Sequence, residues 1–212
     1  MTGRDRTAVW EAVHDERRLL VGDLEGLTGE QWSTGSLCPG WSVHDALAHL
    51  VDSATTTRVG FVRQMVSARF DFDRANDQGV RRHRASDPQQ TLAAFRAVTR
   101  RTDTPPASPA TRLVEAYVHG EDIRRPLGIA ATYPSEHVMT ALSYLARTGA
   151  GIGGGRERVH GLRLCPSDVD QHIGEGPAVR GSAIALLLAT SGRPCGVGEL
   201  TGPGAEVLAA RS

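Results

Sequence analysis

Glu115, His119 and Asp122 form a polar stripe with the spacing of an α-helix. Glu115 and His119 are four residues apart and Asp122 follows three residues later, so their side chains project from one helical face on successive turns. A carboxylate and an imidazole placed in this way can bind the same divalent ion. The apolar residues of this segment lie on the opposite side of the helical wheel. The alternative interpretation is an exposed Glu–His pair with no metal.

His49 supplies a second imidazole from a different predicted helix. It lies away from the apolar stripe of that helix, beside Asp45, Asp52 and Ser53. Two histidines and one glutamate from two helices match a three-ligand metal site of the kind found inside helical bundles. Zinc held by two His and one Glu, with an exchangeable fourth ligand, is a catalytic arrangement, because structural zinc sites are closed. Another divalent first-row metal would fit the same donors.

Five helices are predicted to position these residues. Apolar residues recur with helical spacing over residues 10–27, 43–65, 92–98, 112–123 and 138–145. Ser42 and Asp45 have the spacing of a capping box at the start of the second of these helices. The charged stretch from Asp71 to Asp87 is interpreted as a solvated loop or helix face.

The character of the sequence changes after residue 148. Residues 149–155 are rich in glycine but lack the lysine and the preceding strand pattern of a phosphate-binding loop, which favours a linker. Residues 159–169 have β character, 182–190 form a compact apolar helix and 206–210 a last short helix. The sequence therefore predicts an α+β fold, with a helical bundle over 1–148 and a small α+β module over 156–212.

The composition excludes several classes of function. The 212 residues carry 24 basic and 24 acidic side chains, and every basic residue is arginine. Zero net charge argues against a protein held to nucleic acid by bulk electrostatics. The absence of lysine excludes Schiff-base and P-loop chemistry.

Location and redox state can also be predicted from the sequence. The longest strictly apolar run, Ala183 to Ala189, is too short for a membrane span, and the charged first residues do not resemble a secretory signal. Three scattered cysteines, Cys38, Cys165 and Cys195, are too few for a disulfide framework. We therefore expect a soluble cytoplasmic protein.

Two sequence motifs resemble those of a known family. Residues 39–50 read PGWSVHDALAHL and residues 115–124 read EAYVHGEDIR. Both are similar to motifs of the mycothiol-dependent maleylpyruvate isomerase family, which belongs to the DinB/YfiT-like superfamily of metal-binding four-helix bundles. Residues 161–188 resemble the C-terminal module of the same family. The resemblance implies a DinB-like four-helix bundle followed by that small module.

The resemblance also implies a set of metal ligands. By position, His49, Glu115 and His119 would bind zinc. Pro39 and Trp41 would be structural and would fix the entry into the second helix.

Three further residues are candidates for catalysis. Arg124 and Arg180 would contact the substrate or the thiol, because the planar guanidinium suits carboxylates better than a lysine would. Asp122 would assist proton transfer. A surface ion pair is the alternative interpretation for each arginine.

The implied cosubstrate is mycothiol, with a small electrophile as the second partner and with no nucleic acid or membrane involved. A thiol bound to zinc is deprotonated at neutral pH and can attack an electrophilic carbon, giving S-transfer or cis–trans isomerisation. A metal-dependent hydrolase that activates water and a non-catalytic metal-binding bundle are the alternatives. The oligomeric state stays open. Arginine at every basic position is typical of a GC-rich genome, in keeping with an actinobacterial origin.

Overall fold

The structure, a computed structural model, describes residues 3–193 and 198–211. The chain folds into two compact units, Met1–Ala131 and Thr132–Ser212. The described residues are mostly helical with one small parallel sheet, which confirms the predicted α+β class. Within these residues, no helix combines the length and the apolar character needed to cross a lipid bilayer. Cys38 and Cys165 are half-buried, and Cys195 lies outside the described residues.

Seven α-helices are described in the first unit. They are α1 (Gly3–Leu24), α2 (Gly29–Ser33), α3 (Val43–Thr55), α4 (Arg58–Ser67), α5 (Phe72–His83), α6 (Pro88–Val98) and α7 (Ala110–Arg124), and a 3₁₀ turn (Arg125–Leu127) follows α7. α3 packs against α5, α6 and α7, and α1 packs against α6 and α7. Leu24, Leu47, Phe95 and Ile123 are among the buried residues of the core that these helices share.

The single helix predicted over residues 43–65 is in fact two helices, so that prediction was wrong. Thr57 is extended, with a ψ of 168°, and its side-chain oxygen accepts a hydrogen bond from Gly60 N at 3.0 Å. This cap starts α4 in a new direction while the apolar periodicity continues across the break. At the other end of α3, the capping box of Ser42 and Asp45 is present as predicted.

The second unit is smaller and mixed. It contains α8 (Ser135–Leu145), a 3₁₀ turn (Ala150–Ile152), α9 (Arg156–Val159), β1 (Arg163–Pro166), β2 (Ala178–Gly181), α10 (Ala183–Thr190) and α11 (Ala205–Ala209). β1 and β2 pair in parallel, with Leu164 opposite Val179. α8 packs against α10. The helix predicted at 138–145 therefore lies in the second unit, and the domain extents 1–148 and 156–212 stay a prediction.

The end of the glycine-rich segment, at Gly154 and Gly155, is closely packed. A Cβ on Gly154 would lie 1.9 Å from the carbonyl oxygen of Thr148, and one on Gly155 would lie 2.2 Å from that of Thr190. The backbone of Gly155 also donates to Leu145 O at 3.0 Å. These glycines permit a close backbone approach within the second unit.

Gly79 lies where α5 comes closest to α3. A Cβ at this position would be 2.4 Å from Asp52 Oδ2. The Asp52 side chain is only 8% exposed, and its Oδ1 accepts hydrogen bonds from Arg82 Nη2 at 3.0 Å and Gln64 Nε2 at 3.3 Å. Because these hydrogen bonds hold the short carboxylate of Asp52 in place, moving it aside would cost free energy.

We expect Gly79→Ala to destabilise the protein by about 1–3 kcal/mol, although alanine favours helix, because the added methyl group overlaps Asp52. Gly22→Ala is the matched control. Gly22 is exposed in α1, with nothing within 4 Å of an added Cβ, so this change should be neutral or stabilise by up to about 1 kcal/mol. Urea denaturation measures both, and stabilisation by both changes would contradict the close approach.

Candidate metal centre

The packing of α3 against α7 brings the three predicted ligands together. His49 comes from α3, and Glu115 and His119 come from successive turns of α7. One ligand atom from each side chain lies within 4.8 Å of the other two. His49 Nε2 donates to Glu115 Oε2 at 3.0 Å, and His119 Nε2 lies 3.6 Å from the same oxygen.

His119 is oriented by Asp122, one turn further along α7. Its Nδ1 donates to Asp122 Oδ2 at 2.8 Å, and the Asp122 side chain is 0% exposed. Because the proton is on Nδ1, the lone pair of Nε2 is directed away from Asp122 and toward Glu115. A carboxylate that fixes the tautomer of a ligating histidine is typical of zinc sites.

His49 has a different environment. Its Nδ1 is buried and forms no hydrogen bond with any residue that the structure describes. The ring is held instead by aromatic neighbours. Its centroid lies 4.5 Å from that of His119, edge to face, and 5.0 Å from that of Trp41.

The electrostatics of the cluster favour the protonation states that metal ligands need. Burial alone would raise the pKa of Glu115, but the hydrogen bond from His49 and the two nearby imidazoles outweigh it and hold the pKa well below its ordinary value. Burial lowers the pKa of His119, and His49 lowers it further, against the opposing effect of Asp122. At neutral pH, Glu115 is therefore a carboxylate and His119 a neutral imidazole.

The donor set fits a divalent metal such as zinc. Ligand atoms about 2.0–2.1 Å from a tetrahedral ion lie about 3.3 Å from one another. The observed distances to Glu115 Oε2 are 3.0 and 3.6 Å, and the three ligand atoms all lie within 4.8 Å of one another, so the donors are close to the spacing that one ion needs. Three protein donors would leave one coordination position open.

Trp41 forms a wall of the site, a role that the sequence interpretation missed. Its ring centroid lies 5.0 Å from that of His49 and 6.2 Å from that of His119. The indole Nε1 donates to Asp77 Oδ1 of α5 at 3.1 Å. The preceding Gly40 has a φ of 80°, a conformation that glycine adopts without strain. The Pro-Gly-Trp motif was the available signal, but it was interpreted only as a helix entry.

Comparisons with known proteins give a family match within the first unit. Residues 13–108 match the family model described as "Mycothiol maleylpyruvate isomerase N-terminal domain". This match lies within the first unit of the chain. The matched segment includes His49 and ends before α7, which carries the other two proposed ligands.

Two solved structures have the same fold as this chain. They are crystal structures of mycothiol-dependent maleylpyruvate isomerase and of a histidine-to-alanine mutant of it. The TM-scores are 0.63 and 0.64, and each alignment covers 97% of this chain and 94% of the other chain at 13% identity. Among curated protein sequences, none matches this chain significantly.

Arg124, predicted to contact substrate, lies in a buried ion-pair network of the first unit. Its side chain is 1% exposed, its Nη1 donates to Glu16 Oε1, and its Nε donates to Asp23 Oδ2 at 2.7 Å. Burial, with Asp23 and Glu121 nearby, outweighs Arg124 and raises the pKa of Glu16 to about 7. These contacts tie α7 to α1. A substrate contact by Arg124 stays a prediction.

Arg180, the other predicted arginine, lies on β2 of the second unit. Its side chain is exposed, and its backbone exchanges hydrogen bonds with Thr201 at 2.8 and 2.9 Å. Its proposed role in catalysis also stays a prediction. Asp122, the third candidate, lies against a proposed ligand and is held there by hydrogen bonding to His119.

We expect Asp122→Asn to weaken zinc binding by about 10–100-fold, because the amide is a poorer acceptor and no longer fixes the His119 tautomer. Competition with a chromophoric chelator measures the affinity. Asp77→Asn is the matched control, since Asp77 contacts Trp41 rather than a proposed ligand. An unchanged zinc affinity for Asp122→Asn would contradict the orienting role.

The raised pKa of Glu16 predicts a pH dependence of stability. A carboxyl group with a folded-state pKa of about 7, against an ordinary 4.5, binds its proton more tightly in the folded state. Deprotonation of Glu16 therefore lowers the free energy of unfolding as the pH rises from 4.5 to about 7. The loss is up to about 3 kcal/mol.

We expect Glu16→Gln to remove this loss, so that the unfolding free energy of the wild type falls relative to the variant between pH 5 and pH 8. Urea denaturation across this range measures the two slopes. Glu25→Gln, which removes an exposed carboxylate paired with Arg96, should leave the slope of the wild type unchanged. Parallel curves for the wild type and Glu16→Gln would rule out titration of Glu16 as the cause.

Proposed function

We propose that the protein is a zinc-dependent enzyme that uses mycothiol for cis–trans isomerisation or S-transfer of a small electrophilic substrate. The observation that carries this proposal is the cluster of His49, Glu115 and His119, with one ligand atom from each within 4.8 Å of the others. The family match of the first unit supports the thiol and the isomerase chemistry. The two solved structures with this fold carry the name mycothiol-dependent maleylpyruvate isomerase.

Zinc is the metal we propose, because two imidazoles and one carboxylate with an open fourth position are a catalytic zinc set. When bound, the metal would supply a position at which a thiol is deprotonated at neutral pH. Another first-row divalent ion would serve the same donors. Neutral His119 and ionised Glu115 are ready to bind a cation without first losing protons.

The surrounding residues would hold and shield this position. Asp122 keeps the proton of His119 on Nδ1, so that Nε2 is available to a metal. Trp41 covers the two imidazole rings on one side, and Asp77 holds its indole in place. An apolar wall beside the donors would limit the access of water, which competes with a thiol for an open position.

The proposed isomerisation needs a conjugated electrophile. The thiolate sulfur adds to one carbon of the double bond, and the π electrons move onto the conjugated carbonyl group. The resulting single bond rotates, the electrons return, and the carbon–sulfur bond breaks to give the isomer and the thiolate. In an S-transferase the adduct would be protonated and released. A cytoplasmic location and an actinobacterial source stay predictions.

A product assay with the zinc-loaded protein tests this function. We expect turnover of maleylpyruvate, or of another small electrophile in the same panel, only when mycothiol and zinc are both present. His49→Ala should lose stoichiometric zinc and, with it, activity. Cobalt-substituted protein should change its absorption spectrum on addition of the thiol.

Each contrary outcome points to a different function. Ester or amide turnover without any thiol would favour a hydrolase that activates water. Zinc binding with no thiol effect and no turnover would favour a non-catalytic metal-binding bundle. Stoichiometric zinc retained by His49→Ala would overturn the proposed ligand set.

A further inference from the structure

The polar contact between α3 and α7 continues one turn beyond the proposed ligands. Ser53 follows His49 by four residues on α3, and Arg112 precedes Glu115 by three residues on α7. Arg112 Nη1 donates to Ser53 Oγ across the two helices. The same two helices are thus joined twice, once through the proposed ligands and once through this pair.

Arg112 binds more than one element. Its Nη2 donates to the carbonyl oxygen of Thr56, the C-cap of α3, at 3.5 Å. Its Nε donates to the carbonyl oxygen of Asp103, in the segment before α7, at 3.1 Å. The side chain is only 4% exposed. The planar, buried guanidinium therefore holds together the end of α3, the start of α7 and the segment that precedes α7.

We propose that Arg112 is a positioning residue for the metal centre, which sets the distance between α3 and α7 at His49 and Glu115 before any metal binds. This inference rests on the metal site of the proposed function. The ligands come from only two helices, so a small slide of α3 along α7 would separate His49 from the other two donors. Arg112 bonds to α3 from α7 one turn away from the ligands, and these hydrogen bonds prevent that slide.

The charge of Arg112 alone predicts the opposite effect on zinc. A buried positive charge one turn from Glu115 repels a divalent cation, so removing it should tighten zinc binding if only electrostatics mattered. Loss of these hydrogen bonds should weaken zinc binding, because the donors would no longer be held at the right spacing. The sign of the change therefore separates the two roles.

Arg82 is a natural control on the other side of α3. Its Nη2 donates to Asp52 Oδ1 at 3.0 Å, and Asp52 lies one turn after His49, just before Ser53. This bond joins α3 to α5, which carries none of the three proposed ligands. Removing it takes away an arginine contact to the same turn of α3 without loosening α7.

The experiment compares zinc affinity with the stability of the metal-free protein. Zinc dissociation constants are measured by chelator competition for the wild type, Arg112→Gln, Arg112→Lys, Ser53→Ala and Arg82→Gln, and urea denaturation is measured on each metal-free protein. We expect Arg112→Gln to weaken zinc binding by about 10–100-fold, the range found for residues that orient metal ligands. Arg112→Lys, which keeps the charge but not the planar guanidinium, should lie between Arg112→Gln and the wild type.

The remaining variants keep the test decisive. Ser53→Ala removes one acceptor and leaves the guanidinium in place, so it should weaken zinc binding less than Arg112→Gln. It replaces Arg112→Gln in the test if that variant does not fold. Arg82→Gln should lower stability without weakening zinc binding. Tighter or unchanged zinc binding in folded Arg112→Gln, or in Ser53→Ala if that variant alone folds, would falsify the positioning role. Failure of the wild type to bind zinc would instead overturn the metal site itself.

Discussion

Hydrogen bonds between polar groups buried where α3 packs against α7 organise the first unit around these two helices. His49 bonds to Glu115 and Arg112 bonds to Ser53 across the two helices, and His119 bonds to Asp122 within α7. Leaving any one of these buried groups unpaired costs about 1–3 kcal/mol, and more where it is charged. The pairing therefore selects one alignment of the two helices, whereas an apolar contact would tolerate several.

A second buried network fixes the other side of α7. Arg124 pairs with Glu16 and Asp23 of α1, so α7 is held between α1 and α3 by charged contacts on both faces. Buried ion pairs add little net stability, because desolvation offsets most of the attraction. They do penalise wrong alignments strongly. The first unit thus depends on apolar burial for its stability and on polar pairing for the geometry of its site.

The spacing of residues along the sequence made part of the metal centre predictable. The four-residue spacing of Glu115 and His119, together with His49 on a second periodic segment, was enough to group the three donors, because a helix places such residues on one face. The partners of Arg124 could not be predicted in this way, since they lie 108 and 101 residues away in sequence. The break between α3 and α4 was missed because the apolar period continues through Thr57. The ring contacts of Trp41 depend on how a loop folds back over two helices, and no local pattern encodes that.

The position of Trp41 also gives the protein an optical signal of its own. Its ring centroid lies 5.0 Å from that of His49, while Trp10 and Trp32 are buried in α1 and α2. An ion with absorption in the near ultraviolet or visible range, bound beside His49 and His119, would quench the emission of Trp41 strongly, because energy transfer increases steeply as the distance falls. Occupancy of the centre could then be followed in real time, in unmodified protein, from a single wavelength.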